Sequence, residues 1–320
     1  MIRNCFNVIL LAFFVAKAYS NYKAIKRKEE TEMKRNILRI VSLVCVLCAC
    51  LGVLAACGMP EFTPKDVLTD AETVRIMSFN IRYGEYKKRK DIVPQLIAEY
   101  APESVGIQEC TYEWYKNLTE NLTDYAFVGV GRDSGGLDEN CGEISAVLYR
   151  KDKYELVDSG TFWLSETPDE VSQGWDGACR RVCTWVILKE IATGEEYAHV
   201  NTHLDHEGKE ARVNGSKMVA EHALSFDMPT VLTGDFNFKK SNDLYNGIIA
   251  TGLRDTQDLA VSTMNGKTYH AYEGGEDGEP IDFIFVNDQI TEVSVYKIIR
   301  EKYGNRHTSD HYPIYADMKF

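Results

Sequence analysis

Pro229-Thr230-Val231-Leu232-Thr233-Gly234-Asp235-Phe236-Asn237 is an apolar run closed by a glycine between polar side chains. It reads as a buried strand that ends by delivering Asp235 and Asn237 to one cleft, because glycine lets the backbone turn sharply there. The pattern recurs on both sides. Downstream stand Ile281-Asp282-Phe283-Ile284-Phe285 and Ser309-Asp310-His311, the latter before Tyr312-Pro313, where proline favours an extended approach. Upstream, Asn201-Thr202-His203 ends one strand, Glu109 ends a short apolar one, and Asn80 follows the alternating Val74–Phe79. Singly, each is an ordinary turn or strand end. Together they supply carboxylates for a hard cation and two histidines for proton transfer. Hydrolysis of a phosphate ester needs its oxygens neutralised and a water activated. Mg²⁺ prefers carboxylate and water oxygens, which makes Glu109 the first expected ligand.

Around these pieces the chain alternates strand and helix and then becomes strand-rich. Strands are predicted near residues 74–79, 104–108, 124–130, 143–150, 154–163, 180–189, 196–203, 230–233, 281–286, 291–299 and 312–318. Helices are predicted over 89–100, 111–122 and 207–226, the last because Ala211, Gly215, Met218, Val219 and His222 share one face. Many strands with few helices predict an α/β (α+β) fold, a four-layer sandwich of two packed mixed β-sheets flanked by helices. No repeat or Pro/Gly-rich break interrupts residues 73–320, which are expected to form one domain.

The N-terminal region is of another kind. Residues 33–56 carry a basic start (Lys34, Arg35, Arg39), an apolar run from Ile40, and small residues before Cys57, the layout of a secretory signal. Leu54-Ala55-Ala56-Cys57 resembles a bacterial lipobox, in which Cys57 would be lipidated; an uncleaved anchor helix is the alternative. Both readings place the domain outside the cytoplasm and tethered to a membrane, with residues 57–72 as linker. Residues 1–32 hold a second apolar run ahead of this signal, so translation is expected to start at Met33. Residues 1–56 contain nine of the 36 Lys and Arg and three of the 48 Asp and Glu; the remainder carries a net charge of −18. Such acidity repels polyphosphate backbones, which favours a small or membrane-borne ester over long nucleic acid. Four cysteines remain, Cys110, Cys141, Cys179 and Cys183, without zinc spacing, and buried free thiols are expected.

In order along residues 73–320, Ser78-Phe79-Asn80, Gln108-Glu109, Gly142-Glu143, Arg181, Thr202-His203-Leu204, Gly234-Asp235-Phe236-Asn237, Ile281-Asp282-Phe283-Ile284 and Ser309-Asp310-His311 resemble the endonuclease/exonuclease/phosphatase superfamily. The resemblance implies that Glu109 binds Mg²⁺ or Mn²⁺, with Asn80 and Asp310 helping at metal or phosphate. It implies that Asp235 orients or deprotonates the attacking water and that Asn237 holds the phosphate. It pairs Asp282 with His311 and Glu143 with His203, couples that raise imidazole basicity. Arg181 matches a phosphate-contacting arginine. Some nucleases of the family carry an acidic residue where this chain has Arg82; that argues against a second metal on that side and makes Arg82 a candidate phosphate contact. Trp163 and Trp175 stand as stacking platforms for a sugar, base or lipid headgroup, or else as packing aromatics.

The reading is a Mg²⁺-dependent, lipid-anchored, monomeric phosphoesterase. A nuclease and a non-catalytic surface binding protein are the alternatives.

Overall fold

β1 (Val74–Asn80) lies at the centre of a seven-stranded sheet, with apolar side chains on both faces through its middle and the buried Arg75 paired to Asp317 near its start. Ile76 faces the second sheet, and Met77 and Phe79 face the helices. The computed structural model describes residues 64–320 except 69 and 71. The signal, the lipobox cysteine and the expected start at Met33 lie outside the described residues.

The remaining strands are β2 (Ser104–Cys110), β3 (Tyr125–Val128), β4 (Ile144–Arg150), β5 (Tyr154–Trp163), β6 (Val182–Glu190), β7 (Glu196–His203), β8 (Thr230–Asp235), β9 (Arg254–Asp255), β10 (Ser262–Thr263), β11 (Asp282–Val286), β12 (Glu292–Ile298) and β13 (Ile314–Lys319). One sheet runs β10-β12-β13-β1-β2-β4-β3 and the other β5-β6-β7-β8-β11-β9. Both are mixed. β1 pairs parallel to β2 and β7 parallel to β8, while β8 pairs antiparallel to β11 and β1 to β13.

Three apolar clusters define the four layers. Helices α2 (Ile92–Tyr100) and α3 (Tyr112–Asn121) bury Val93, Leu96, Trp114 and Leu118 against the first sheet. The sheets meet through Ile76, Val147, Ile314 and Met318 on one side and Val186, Leu188, Val231 and Ile284 on the other. Helices α4 (Lys209–Ala223) and α5 (Asp243–Ala250) cover the second sheet, with Val219, Ala223 and Ile248 against Val200, Leu232 and Phe285. The expected sandwich is the observed one.

The differences are local. The helix expected over 89–100 is split into α1 (Tyr86–Arg89) and α2. Helix α5, capped by Asn242 through its side chain, the short α6 (Thr256–Leu259), β9 and β10 have no sequence counterpart above. Each is eight residues or fewer, too short for a clear period. The described part of the expected linker is docked rather than free. Lys65 pairs with Glu99 at 2.8 Å, and the buried Arg75 donates to the carbonyl of Asp66 at 2.7 Å. The domain therefore begins before residue 73. The four cysteines are unpaired as expected; three are buried and Cys179 is half-buried. Among the described residues no helix is long and apolar enough to cross a membrane.

A polar row runs between the sheets, from the start of β2 and β7 toward their C-terminal ends. Tyr197 donates to Ser104 Oγ at 3.0 Å, Ser104 Oγ lies 2.7 Å from His199 Nδ1, and His199 Nε2 lies 2.8 Å from Thr233 Oγ1. Thr233 and Gln108 both donate to Asn201 Oδ1, at 3.0 and 2.7 Å. Asn201 Nδ2 donates to the carbonyls of Ile107 and Ala146 in the opposite sheet, at 2.9 Å each. One set of protons satisfies this row: Ser104 donates to Nδ1 and His199 donates from Nε2. Gly106 makes the approach possible, since a Cβ there would lie 2.0 Å from Thr233 Oγ1.

Candidate active site

Strand alternation places the site. Residues 199, 201 and 203 of β7, 231, 233 and 235 of β8, and 282, 284 and 286 of β11 face the other sheet. The last of each polar series, His203 and Asp235, reaches the end of the sandwich, and Asp282 begins β11 directly opposite Asp235. Glu109 breaks this rule. Alternation with Val105 and Ile107 would send it outward to the helices, yet it lines the cleft. The pairing of β2 with β4 shifts register between Ile107 and Cys110, and Glu109 takes φ 58°. This bulge turns a carboxylate from the core face into the cleft, the kind of local strain that accumulates at functional sites.

A row of contacts then crosses the cleft floor. Asn80 Nδ2 donates to Glu109 Oε1 and to Asp235 Oδ2, at 3.0 Å each, so one carboxamide links carboxylates from the two sheets. Asp235 Oδ2 lies 3.4 Å from His203 Nε2 and 3.7 Å from His311 Nε2. The expected Asp282–His311 couple is formed, with Nδ1 and Oδ2 at 2.9 Å. Ser309 Oγ donates to the Asn80 carbonyl at 2.7 Å and fastens the loop that carries Asp310 and His311. Asn237, at φ 52°, donates its backbone N–H to Asp235 Oδ1 at 3.0 Å and its side chain to the Leu204 carbonyl at 2.9 Å. Arg89 is buried beneath the rim and donates to the carbonyls of Thr308, Arg82 and Gly84, tying the two loops together.

The expected Glu143–His203 couple is not formed. Glu143 Oε2 accepts from Arg132 Nη1 at 2.8 Å, stands 3.8 Å from Arg181 Nη1, and is 3.9 Å from His203 Nδ1. That nitrogen is buried without a hydrogen-bond partner. Two guanidinium groups outcompete a neutral imidazole for one carboxylate. Asp205 shapes the same side. Its carboxylate accepts four backbone N–H bonds, from Ala178, Cys179, Glu207 and Gly208 at 2.7–3.3 Å, and so joins the segment before β6 to the loop after β7.

These surroundings push the two histidines apart. Burial depresses His203, and the positive charges of Arg181 and Arg132 depress it further, so it is a neutral imidazole. Burial also opposes the charge on His311, but the carboxylates of Asp282 and Asp235 outweigh it and hold the ring up at about 10. Asp235, buried and facing Asp282, is pushed up to about 7. A proton acceptor thus sits between a neutral and a charged imidazole, the separation that assigns acid and base roles elsewhere.

Glu109 and Asp310 fit a hard cation. Their carboxylates face a common point now held by the Arg82 guanidinium, at 3.8 and 3.6 Å, and Asn80 adds a carboxamide beside Glu109. Oxygen donors around one positive centre suit Mg²⁺ or Mn²⁺. Among the described residues two tighter groups exist, Asp235–Asp282–His311 and Cys179–Asp205–His206. The first already balances its charge with the His311 imidazolium. In the second, the aspartate is occupied by backbone donors.

The cleft has a volume of about 630 Å³, within the range of small-ligand sites. It is lined by Arg82, Glu109, Glu143, Arg181, His203, Asp235, Asn237, Asp310 and His311 among the expected residues. Asn80 and Asp282 are buried directly behind the floor. Trp163 and Trp175 are not part of the lining. Trp163 is buried and spends its indole N–H on the Arg132 carbonyl at 2.8 Å; it packs the loop that presents Arg132. Six lining residues were not among the expected site residues: Arg132, Cys179, His206, Ile281, Tyr83 and Tyr269. The Gly131-Arg132-Asp133 turn was a visible signal for the first; no motif marks the tyrosines.

The fold and this constellation define a phosphoester hydrolase. The model of the Endonuclease/Exonuclease/phosphatase family matches residues 77–311, and the chain belongs to that family. A family protein from Bacteroides vulgatus is 38% identical with a TM-score of 0.72, covering 78% of this chain and 99% of its own. The mannosyl-6-phosphatase of Bacteroides thetaiotaomicron VPI-5482 is 32% identical with a TM-score of 0.72, over 77% of this chain and 100% of its own. TDP2 of D. rerio, solved with a single-strand DNA product, shares the fold at 18% identity and a TM-score of 0.63, covering 78% of this chain and 100% of its own. No curated protein matches the chain.

Proposed function

We propose that this chain is a Mg²⁺- or Mn²⁺-dependent phosphoesterase acting on small phosphoesters, with sugar phosphate monoesters the leading class. The observation that carries the chemistry is Asp235 held between a neutral His203 and a charged His311 at the floor of a small cleft. In this reading Asp235 takes the proton of the attacking water as its oxygen bonds to phosphorus. The ester bond opens, and the departing oxygen leaves as the alcohol, protonated by solvent water, to which Asp235 then returns its proton. His311 keeps a proton on Nε2 and donates it as a hydrogen bond to a phosphoryl oxygen, while Asp282 fixes its Nδ1. His203 orients the water, and Arg181 and Asn237 hold the remaining phosphate oxygens. Glu109, Asp310 and Asn80 would hold the cation, which supplies charge neutralisation at the phosphate. Arg82 exchanges its carboxylates for the substrate phosphate.

The sugar-phosphate class is supported by the cleft's size, by the acidity of the chain, and by the mannosyl-6-phosphatase at 32% identity. The test is an assay of the full chain with Mg²⁺, with and without chelator, on hexose 6-phosphates, an aryl phosphodiester and single-stranded DNA, beside Asp235→Asn. Chelator-sensitive release of phosphate from the monoester, lost in the variant, supports the reading. Cleavage of DNA as fast as any small ester sinks it. We also propose that Cys57 is lipidated and anchors the protein outside the cytoplasm, on the strength of Leu54-Ala55-Ala56-Cys57 alone; a Cys57→Ala protein that stays with membranes would overturn this.

A further inference from the structure

Among the described phenylalanines, tyrosines and tryptophans two are more than a third exposed, Tyr83 at 48% and Tyr269 at 47%, and both line the cleft. The others are buried or half-buried. A large ring left in water beside a reaction centre has apolar area that a ligand can cover. The two tyrosines differ in what their faces already carry. Tyr83 is stacked by its neighbour, with the Arg82 guanidinium 4.5 Å from the ring centroid. Tyr269 meets the His311 ring at 5.0 Å with a 55° tilt, an edge-biased contact that leaves much of the ring open. Its backbone pairs with His311 in an antiparallel bridge, so the ring is held at the catalytic end rather than on a free loop.

The contact row gives the opposite pole. It runs Tyr269, His311, Asp235, His203, Glu143, Arg132, each step supported by a separation of 5.0 Å or less. Glu143 and Arg132 offer planar acceptors and donors at one end; Tyr269 offers an apolar face at the other. A pyranose presents both kinds of surface, a face of C–H groups and an edge of hydroxyls. Resting on the phosphomonoesterase reading above, we infer that Tyr269 is the platform for the sugar ring of the substrate and sets a preference for cyclic over acyclic phosphate monoesters.

The test compares kcat/KM for mannose 6-phosphate and glycerol 3-phosphate in the full chain, in Tyr269→Ala and in Tyr269→Phe. The hexose-to-glycerol ratio is expected to fall about tenfold in Tyr269→Ala, through KM, which corresponds to about 1.4 kcal/mol. Tyr269→Phe keeps the ring and is expected to keep the ratio. An equal loss on both esters in Tyr269→Ala, no change in the ratio, or a Tyr269→Phe protein that behaves like the alanine variant overturns the platform while the phosphatase reading stands. A wild-type protein inactive on both esters, yet active on a diester, overturns both.

Discussion

Asp235 and Asp282 are direct partners across the β8–β11 ladder, and His311, from the loop before β13, lies against both carboxylates. Two buried carboxylates at adjacent positions repel each other unless a cation lies between them. His311 is that cation. Asp282→Asn removes the charge that holds the ring protonated and its tautomer fixed. The variant is expected to lose about 10²-fold or more in kcat with KM little changed. Steady-state kinetics on a phosphate monoester, with circular dichroism to establish folding, decides it; a variant that retains wild-type kcat removes Asp282 from the machinery.

Arg82 holds the point between Glu109 and Asp310 where a hard cation fits, and its side chain is more than a third exposed, free to swing out. It therefore competes with the metal. Arg82→Ala is expected to tighten Mn²⁺ up to about fivefold, the scale of one partly exposed ion pair. The same change should raise KM for a phosphate ester. Glu109→Gln should instead weaken Mn²⁺. Calorimetric titration of the three proteins checks the signs, and weaker binding in Arg82→Ala would show that the arginine is not a competitor.

Much of this site was legible because alternation along β7, β8 and β11 is regular. His203, Asp235 and Asp282 could be placed from short apolar strands that end in polar residues. What was not legible depends on contacts far apart in sequence. Glu143 belongs to Arg132 rather than His203 because a loop held by Trp163 brings a guanidinium within 2.8 Å, and no local pattern encodes that competition. The tryptophans were read as either stacking platforms or packing aromatics; Trp163 packs the loop that presents Arg132 and neither lines the cleft, while Tyr83 and Tyr269, unremarkable in sequence, do. Glu109 was placed correctly at a strand end although it violates the alternation; the bulge that rescues it is a feature of pairing with β4.

The polar row between the sheets predicts where the fold tolerates least change. Asn201 makes four hydrogen bonds to or through the opposite sheet and Thr233, all fully buried. Asn201→Leu removes the acceptor that Gln108 and Thr233 share and the donor to two buried carbonyls, and is expected to cost about 3 kcal/mol or more. Because Gln108 precedes Glu109 and Thr233 lies two residues before Asp235, activity should fall with stability. Urea denaturation measures the first, and a loss below about 1 kcal/mol would mean that water replaces these bonds.

His199 in that row carries a pH prediction. Burial alone holds its pKa at about 3, against 6.5 for an exposed histidine. Its neighbours at hydrogen-bond distance are the hydroxyls of Ser104 and Thr233, neither of them charged. The folded protein keeps the ring neutral while the unfolded chain binds a proton below pH 6.5. Stability from this group is therefore full above pH 6.5 and declines as the pH falls from there toward 3. At pH 5 the loss is about 2 kcal/mol. His270, also depressed to about 3, adds to the same slope, so the whole-protein curve does not isolate His199. The informative quantity is the difference between wild type and His199→Gln in the stability lost from pH 7.5 to 5. The variant starts less stable, because the row is interrupted, but it should lose about 2 kcal/mol less over that interval. Equal slopes for the two proteins would place a charged, accommodated imidazole inside the sandwich and contradict the buried neutral row.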